Sequence, residues 1–260
     1  MGIRSVPGIQ AVGMYSGIKS NADKLDLGII LLNHLCTFAA VTTRSSTCSE
    51  AVRWTRKQAS HGKLKAILVN SGNANTATAT AKQDHGAVVQ ILAQLLEADP
   101  KNILYHSTGI IGKTLPVEKI KTALPDLLRS VGVDRSDSFA KAILTTDLVE
   151  KNFTKKITLS SGVSCQISAT AKGSGMIHPN LATMLVYMAT DATVSLKALK
   201  TALKSSAQKS FNQMSVDMDT STSDSVVLVA TGEDKANEIR WGTRQYAEFC
   251  DALTEVCIEM

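Results

Sequence analysis

The segment Lys172-Gly-Ser-Gly-Met-Ile-His-Pro-Asn180, continued by Leu-Ala-Thr-Met-Leu-Val-Tyr-Met188, joins a turn-rich stretch directly to an apolar one. Its first nine residues contain two glycines and a proline, which predict a loop. The part from Thr183 to Met188 is apolar, and it predicts a buried strand. The segment therefore predicts a loop that places Thr183 at the head of a core strand.

Strand and helix patterns surround this segment without a regular order. Two strands, about 155–160 and 163–170, are joined by Ser160-Ser-Gly162 and predict a hairpin. Further strands are predicted at 25–42, 64–70, 103–107, 214–217 and 225–230, helices at 50–60, 82–97, 116–129, 136–144, 195–210 and 243–257, and loops at 71–75 and 108–112. Because hairpins occur and a strict βαβ alternation is missing, the sequence predicts an α+β layered sandwich rather than a doubly wound sheet.

The composition is that of a packed globular protein. Of 260 residues, 44% are hydrophobic and 20% are charged, which excludes disordered, collagen-like and coiled-coil chains. Aromatic residues make up only 4%, which argues against the stacking of nucleic-acid bases. The net charge of +5 comes from scattered lysines and arginines, and it suits small anionic substrates.

The cysteines and histidines predict neither disulfides nor a metal site. None of the five cysteines forms a CxxC motif, and they are expected to be small buried side chains. The five histidines lack HxxxH or HExxH spacing. The chain shows no signal peptide or apolar run of membrane-spanning length, so the expected location is the cytoplasm.

Two motifs permit functions that remain open at this point. Ser107 to Thr114 resembles a phosphate-binding Walker loop, but Ser107 stands where that motif requires glycine. The acidic run Asp217 to Asp224 could suggest a calcium loop or a phosphatase. Thr222 and Leu228 occupy the places where a calcium loop needs glycine and glutamate. The first motif permits a nucleotide-binding module, and the alternative interpretation of the acidic run is a polar loop between strands.

Thr183 is a candidate nucleophile that could be activated by its own α-amine. If the bond between Ala182 and Thr183 were broken, Thr183 would carry a free α-amine with a pKa of about 7.7–8 beside its own hydroxyl. Such an amine can act as general base for the hydroxyl. The preceding Lys172-Gly-Ser-Gly175 allows a ligand to approach the backbone closely.

Taken together, these segments resemble the glutamate N-acetyltransferase family, also called the ornithine acetyltransferase family. The resemblance runs almost from end to end and is strongest at Ala171-Lys-Gly-Ser-Gly-Met-Ile-His-Pro-Asn-Leu-Ala-Thr-Met-Leu185. Further matching stretches are Gly17-Ile-Lys19, Leu64-Lys-Ala-Ile-Leu-Val-Asn-Ser-Gly-Asn-Ala-Asn75, Ser107-Thr-Gly-Ile-Ile-Gly112, Thr145-Thr-Asp147, Asp217 to Leu228 and the final helix. The resemblance implies an α+β sandwich similar to N-terminal-nucleophile hydrolases but differently connected.

The resemblance also implies the site residues. The precursor would cleave itself between Ala182 and Thr183, giving chains 1–182 and 183–260, and Thr183 would be the nucleophile. Thr108 and Gly109 would form the oxyanion hole. The substrate would be bound by Lys172 and by the stretch Thr145-Thr146, without a decision between the two threonines.

The implied reaction is a ping-pong transfer of acetyl from N2-acetylornithine to glutamate in arginine biosynthesis. No metal or prosthetic group takes part, and some members of the family also accept acetyl-CoA. The cleaved chains would stay associated and form oligomers, with no nucleic acid or membrane as partner.

Family members continue past the point that matches Met260, where they supply a glutamate, an asparagine and a serine or threonine to the site. The sequence is therefore expected to be C-terminally truncated, with the second region, 183–260, representing only the first part of its counterpart. The alternative is that a separate partner completes the chain. Two alternatives stay open: a related N-terminal-nucleophile amidase or aminopeptidase, and an inactive remnant.

Overall fold

A computed structural model of the chain describes residues 2–133, 137–176, 184–217 and 219–260. These residues form one hydrogen-bonded sheet with helices packed on it. The strands are β1 (Ile9–Met14), β2 (Leu27–Thr42), β3 (Lys63–Asn73), β4 (Ile103–Ile110), β5 (Lys151–Thr158), β6 (Ser164–Lys172), β7 (Leu185–Thr190) and β8 (Ser225–Ala230). The α-helices are α1 (Glu50–Ala59), α2 (Ala81–Leu95), α3 (Val117–Ser130), α4 (Ser138–Ile143), α5 (Leu196–Lys209) and α6 (Arg244–Glu259).

The long strand β2 connects the two halves of the sheet. The strand order is β4-β3-β2-β8-β7-β6-β5, and β1 pairs with β2 outside this path. The first part of β2 pairs with β1 and β3, and its last six residues pair with β8. The pairing between β2 and β3 slips between Leu31 and Cys36. Such an irregularity bends a strand, which allows the two halves of the sheet to fold over each other.

The faces of the two halves meet in a shared core. Ile67 and Leu104 from the first half belong to the same buried cluster as Tyr187 and Val227 from the second half. The ring of His106 on β4 stacks on Tyr187 on β7, and His106 Nδ1 lies 2.9 Å from the Tyr187 hydroxyl. The two halves of the sheet therefore form the two inner layers of a sandwich.

The helices cover the outer faces. Side chains of α5 and α6 pack on the alternate residues of β7 and β8, such as Met188 and Leu228. Side chains of α2 and α3 pack on Leu68 of β3 and Tyr105 of β4. Successive residues of one strand thus belong to different hydrophobic clusters, one on each face of the sheet, as expected for a sheet that is buried on both sides. The result is an α-β-β-α layered sandwich, which confirms the predicted α+β class.

Three local predictions were wrong. Residues 214–217 are not a strand but an irregular segment, and the Asp217 side chain accepts a hydrogen bond from the backbone N–H of Met176 (2.5 Å). Strand β1 was not predicted. The predicted loops at 71–75 and 108–112 begin inside β3 and β4, which continue to Asn73 and Ile110.

The predicted division into 1–182 and 183–260 falls outside the described residues. On either side of it the sheet is continuous, because β7 pairs with β6 and with β8. All five cysteines are free, and four of them are buried, which confirms their predicted role as small core side chains. No helix in the described part of the chain has the length and apolar character to cross a membrane.

Candidate functional site

A cavity of about 900 Å³ opens where the ends of β3, β4 and β6 meet the segment before β8. A volume of this size suits a small organic molecule. The residues of the predicted site that line it are Thr108, Gly109, Thr145, Thr146 and Lys172. The fold thus brings together residues that are separated by up to 64 positions in the chain.

Thr108 and Gly109 lie at the end of β4 in the wall of this cavity. Gly109 has a φ of +130°, and a Cβ at this position would lie 2.5 Å from the carbonyl carbon of Gly72 on β3. Only glycine can adopt this backbone and tolerate this approach. Gly109 therefore lets β4 run close to β3 up to the cavity, which Thr108 and Gly109 both line.

Lys172 ends β6 and is almost fully buried, with 3% of its surface exposed. Its Nζ donates a hydrogen bond to Thr108 Oγ1 (3.3 Å). Burial lowers the pKa of Lys172, while the carboxylates of Asp147 and Asp224 oppose this shift. A lysine with two carboxylates nearby is well placed to remain charged and to attract an anionic group.

Thr145 and Thr146 are held by the carboxylate of Asp147. Asp147 Oδ2 accepts from the Thr145 N–H (3.2 Å), and its Oδ1 accepts from the Gly173 N–H (2.6 Å). The Thr146 hydroxyl lies 2.7 Å from that of Ser174. Asp147 therefore ties the threonine pair to the loop that follows Lys172.

Ala182 and Thr183 lie outside the described residues. The next residue, Met184, is described, and its N–H donates to Asp224 Oδ1 (3.0 Å). Strand β7 follows at Leu185, whose backbone pairs with Lys172 and with Ser225. The backbone after Thr183 is thus anchored at Met184, which directly precedes the residue that pairs with Lys172.

The cavity is strongly cationic. Among the described residues, its lining contains one carboxylate, that of Asp217, and five lysines: Lys19, Lys24, Lys113, Lys119 and Lys172. Burial lowers the pKa of Lys19 to about 8, against the attraction of Asp26. Lys19 Nζ donates to the carbonyl oxygens of Leu25 and Leu144 (2.8 Å each). Lys19 was not among the predicted site residues, although it lies in the matching stretch Gly17-Ile-Lys19.

The two alternative motifs do not form the sites they suggested. Thr108 to Ile110 is part of β4, and helix α3 begins only at Val117, so the Walker-like stretch does not wrap around a helix N-terminus. In the acidic run, Asp224 is fully buried and Asp217 faces the cavity. No group of three or more histidine, cysteine, aspartate or glutamate side chains is arranged for a metal ion within the described ranges.

The fold and the cavity define an enzyme-like α+β sandwich with a lysine-lined site for a small molecule. Residues 10–260 match the model of the ArgJ family, and the chain belongs to this family. The arginine biosynthesis bifunctional protein ArgJ of Thermosynechococcus vestitus is 36% identical over 263 residues, which cover all of this chain and 62% of that protein. The chain thus spans less than two thirds of this relative's length.

Solved structures similar to this one include two relatives with 27% or more sequence identity. The arginine biosynthesis bifunctional protein of Bacillus halodurans has a TM-score of 0.64 and 31% identity, over 71% of this chain and 95% of that chain. The ornithine acetyltransferase of Mycobacterium tuberculosis, solved in complex with ornithine, has a TM-score of 0.59 and 27% identity, over 71% of this chain and 96% of that chain.

Proposed function

We propose that this chain carries the acetyl-transfer site of a cytoplasmic enzyme of arginine biosynthesis, which moves acetyl from N2-acetylornithine to glutamate. The observation that supports this most is the contact between Lys172 and Thr108 in a cationic cavity that Gly109 also lines. Membership in the ArgJ family and the ornithine held by the Mycobacterium tuberculosis relative support the same substrate class.

The first proposed step is self-cleavage. The hydroxyl oxygen of Thr183 attacks the carbonyl carbon of Ala182, and the bond from this carbon to the Thr183 nitrogen breaks as an ester forms. Water then hydrolyses the ester, which releases chain 1–182 with a new carboxylate and chain 183–260 with a free amine. The two chains remain associated, as expected for strands that share one sheet, and the assembly forms oligomers.

The second step is the transfer itself. The Thr183 hydroxyl, with its own α-amine as general base, attacks the acetyl carbonyl of N2-acetylornithine. Ornithine leaves with the proton, and acetyl stays on Thr183 as an ester. The amine of glutamate then attacks this ester and regenerates the hydroxyl. The same ester would form from acetyl-CoA, with its thiol as leaving group. No metal or other cofactor is needed.

Thr108 and Gly109 are proposed to stabilise the negative charge on the carbonyl oxygen during both attacks. The Thr108 hydroxyl accepts a hydrogen bond from Lys172, which leaves its own hydrogen available to donate to this oxygen. Donors of this kind each contribute about 3 kcal/mol to transition states of acyl transfer. Lys172 binds the α-carboxylate of the substrate, and Thr145 or Thr146 contributes a hydroxyl contact.

Mass spectrometry tests the cleavage. The chain with Thr183 is expected to yield two fragments that begin at Met1 and Thr183, Thr183→Ser is expected to cleave because it retains a hydroxyl, and Thr183→Ala is expected to stay whole. Transfer is measured as acetylglutamate formed from isotopically labelled N2-acetylornithine. Both assays are run on the chain alone and with the remaining segment of a relative added.

The outcomes separate the proposal from its alternatives. Acetate release without a need for glutamate would indicate an amidase of the same nucleophile class. Cleavage without any acyl transfer in either format would indicate an inactive remnant. An uncleaved Thr183 chain that still transfers acetyl would contradict the proposed nucleophile.

A further inference from the structure

Asp224 is a fully buried carboxylate at the start of β8, outside the set of residues assigned to the site so far. Its Oδ1 accepts the N–H of Met184 over 3.0 Å. Met184 is bonded directly to Thr183, so this N–H belongs to the first peptide unit that follows Thr183. The carboxylate therefore fixes the backbone immediately after the proposed nucleophile.

The surrounding strands keep this contact in register. The parallel pairing of β7 and β8 sets Leu185 opposite Ser225, and the Ser225 N–H donates to the Met184 carbonyl (3.1 Å). On the other side of β7, Leu185 is opposite Lys172. The Asp224 carbonyl in turn accepts from the Thr43 N–H (3.1 Å). Met184 is thus held through both its N–H and its carbonyl.

Asp224 is also coupled electrostatically to Lys172, which lines the cavity. Its carboxylate attracts Lys172, whose Nζ donates to Thr108. A negative charge on Asp224 therefore favours the charged form of the lysine that contacts the proposed oxyanion donor. One side chain influences both the backbone next to Thr183 and the charge beside Thr108.

We propose that Asp224 is a positioning residue for Thr183, which fixes the backbone at Met184 and keeps Lys172 charged. This inference rests on the proposed function for the role of Thr183. The ionised form is needed for the second of these roles, because a neutral carboxyl oxygen can still accept the Met184 N–H, whereas only the negative charge attracts Lys172.

The protonation of Asp224 makes this role dependent on pH. Burial raises the pKa of Asp224 to about 7, while the Met184 N–H, Ser221 and Lys172 act in the opposite direction. The charged groups that face this pair through Lys172 are Asp147 and Lys151. As the pH falls through neutrality, Asp224 becomes neutral and Lys172 keeps only Asp147 as a strong carboxylate neighbour.

The variant Asp224→Asn tests the proposal, because it has nearly the shape of a protonated aspartic acid and should fold. Cleavage is followed in freshly synthesised protein from about pH 5 to about pH 9, before any free Thr183 amine can contribute to the profile. The wild-type rate is expected to rise with pH through about 7. The variant is expected to lose this rise and to transfer acetyl with a kcat roughly 10- to 100-fold lower at an unchanged KM for glutamate, as for other residues that orient a reacting group.

Asp219→Asn is the matched control, since Asp219 lies in the same acidic run but is exposed. It should keep the wild-type rate and pH profile. A wild-type pH profile in Asp224→Asn would overturn the proposal.

A second measurement does not depend on activity. The amide resonance of Met184, recorded by nuclear magnetic resonance, is expected to titrate near pH 7 in the wild type and in Asp219→Asn, and not in Asp224→Asn. If the wild type neither cleaves nor transfers, the proposed function fails, while this titration still decides whether the Asp224 carboxylate contacts the Met184 amide. A Met184 amide that does not respond to pH near neutrality would contradict it.

Discussion

Lys172 and Thr108 are joined by a hydrogen bond of 3.3 Å that links the two halves of the folded sheet at the cavity. Lys172 has only donors, so the Thr108 oxygen must be the acceptor. The hydroxyl hydrogen of Thr108 then remains free to donate to a ligand. The cation behind it increases the polarity of this hydroxyl, which suits it to stabilise a developing negative charge.

Replacing Thr108 with valine should impair catalysis more than folding. Thr108→Val keeps the shape of the side chain but removes the proposed oxyanion donor, and kcat for acetyl transfer is expected to fall roughly 100-fold or more. Thr108→Ser retains the hydroxyl and should lose much less. Steady-state kinetics of acetylglutamate formation compare the two variants. Equal losses in Thr108→Val and Thr108→Ser would argue against a role for the hydroxyl.

Gly109 and Gly112 both have positive φ angles, but only one of them is enclosed. A Cβ at Gly109 meets the backbone of Gly72, whereas at Gly112 nothing lies within 4 Å. Gly112→Ala should cost only about 1 kcal/mol for its left-handed backbone. Gly109→Ala should cost about 1–3 kcal/mol or more and also reduce transfer, because β4 must move away from β3. Urea denaturation measures the free energy of unfolding of both variants. Similar losses in the two would show that the close approach of β3 does not cause the loss in Gly109→Ala.

Most elements could be predicted from local signals in the sequence. The hairpin predicted at 155–160 and 163–170 corresponds to β5 and β6, and its turn residues identified it. Helix α1 begins where the Ser49 hydroxyl accepts a hydrogen bond from the Val52 N–H, as expected for a serine before a helical pattern. Periodicity and capping act over a few residues, so a single sequence contains them.

The arrangement of the layers and the site depended on contacts that local patterns do not contain. The slip in β2 between Leu31 and Cys36 decides that the sheet folds over itself, and nothing in the sequence of β2 alone indicates it. Gly109 was predicted to lie in a loop, because a glycine is typical of loops. Its actual role, to let β4 approach Gly72 on β3, depends on a contact with a distant part of the chain. Asp224 was regarded only as part of a polar run, since its burial becomes evident only when β7 and β8 are paired.

Because of Lys19, substrate binding should weaken at alkaline pH. Its pKa of about 8 means that it loses its charge as the pH rises through this value. The KM for glutamate is therefore expected to increase above about pH 8, and Lys19→Met should raise KM at neutral pH and remove this increase. Lys24→Met, an exposed lysine of the same cavity, should retain it. An alkaline increase in KM that persists in Lys19→Met would assign the effect to another group.

Lys19→Met should also reduce stability. The side chain donates to the carbonyl oxygens of Leu25 and Leu144, and methionine would leave both without this donor. The loss is expected to be about 1–3 kcal/mol in the free energy of unfolding, measured with urea. A fully stable Lys19→Met protein would show that water replaces the ammonium group at both carbonyls.

His85 should make the fold sensitive to acid. The ring is buried between Trp54 and Tyr105, with centroid distances of 5.9 and 5.4 Å. Neither ring nitrogen has a hydrogen-bond partner in the described part of the chain. Burial lowers the pKa of His85 to about 4. Below about pH 6.5 this histidine binds a proton in the unfolded chain, whereas in the folded chain it binds one only below about pH 4. The free energy of unfolding therefore falls as the pH decreases through this range.

His85→Phe removes this proton uptake and places an apolar ring between the same two neighbours. Its advantage over the wild type in the free energy of unfolding should grow by about 2–3 kcal/mol from pH 7 to pH 4, since one pKa unit corresponds to about 1.4 kcal/mol. His61→Gln, at an exposed position, is the comparison variant. Urea unfolding at a series of pH values measures all three proteins. A difference between His85→Phe and the wild type that stays constant with pH would mean that the buried ring is already protonated or hydrogen-bonded in the folded state.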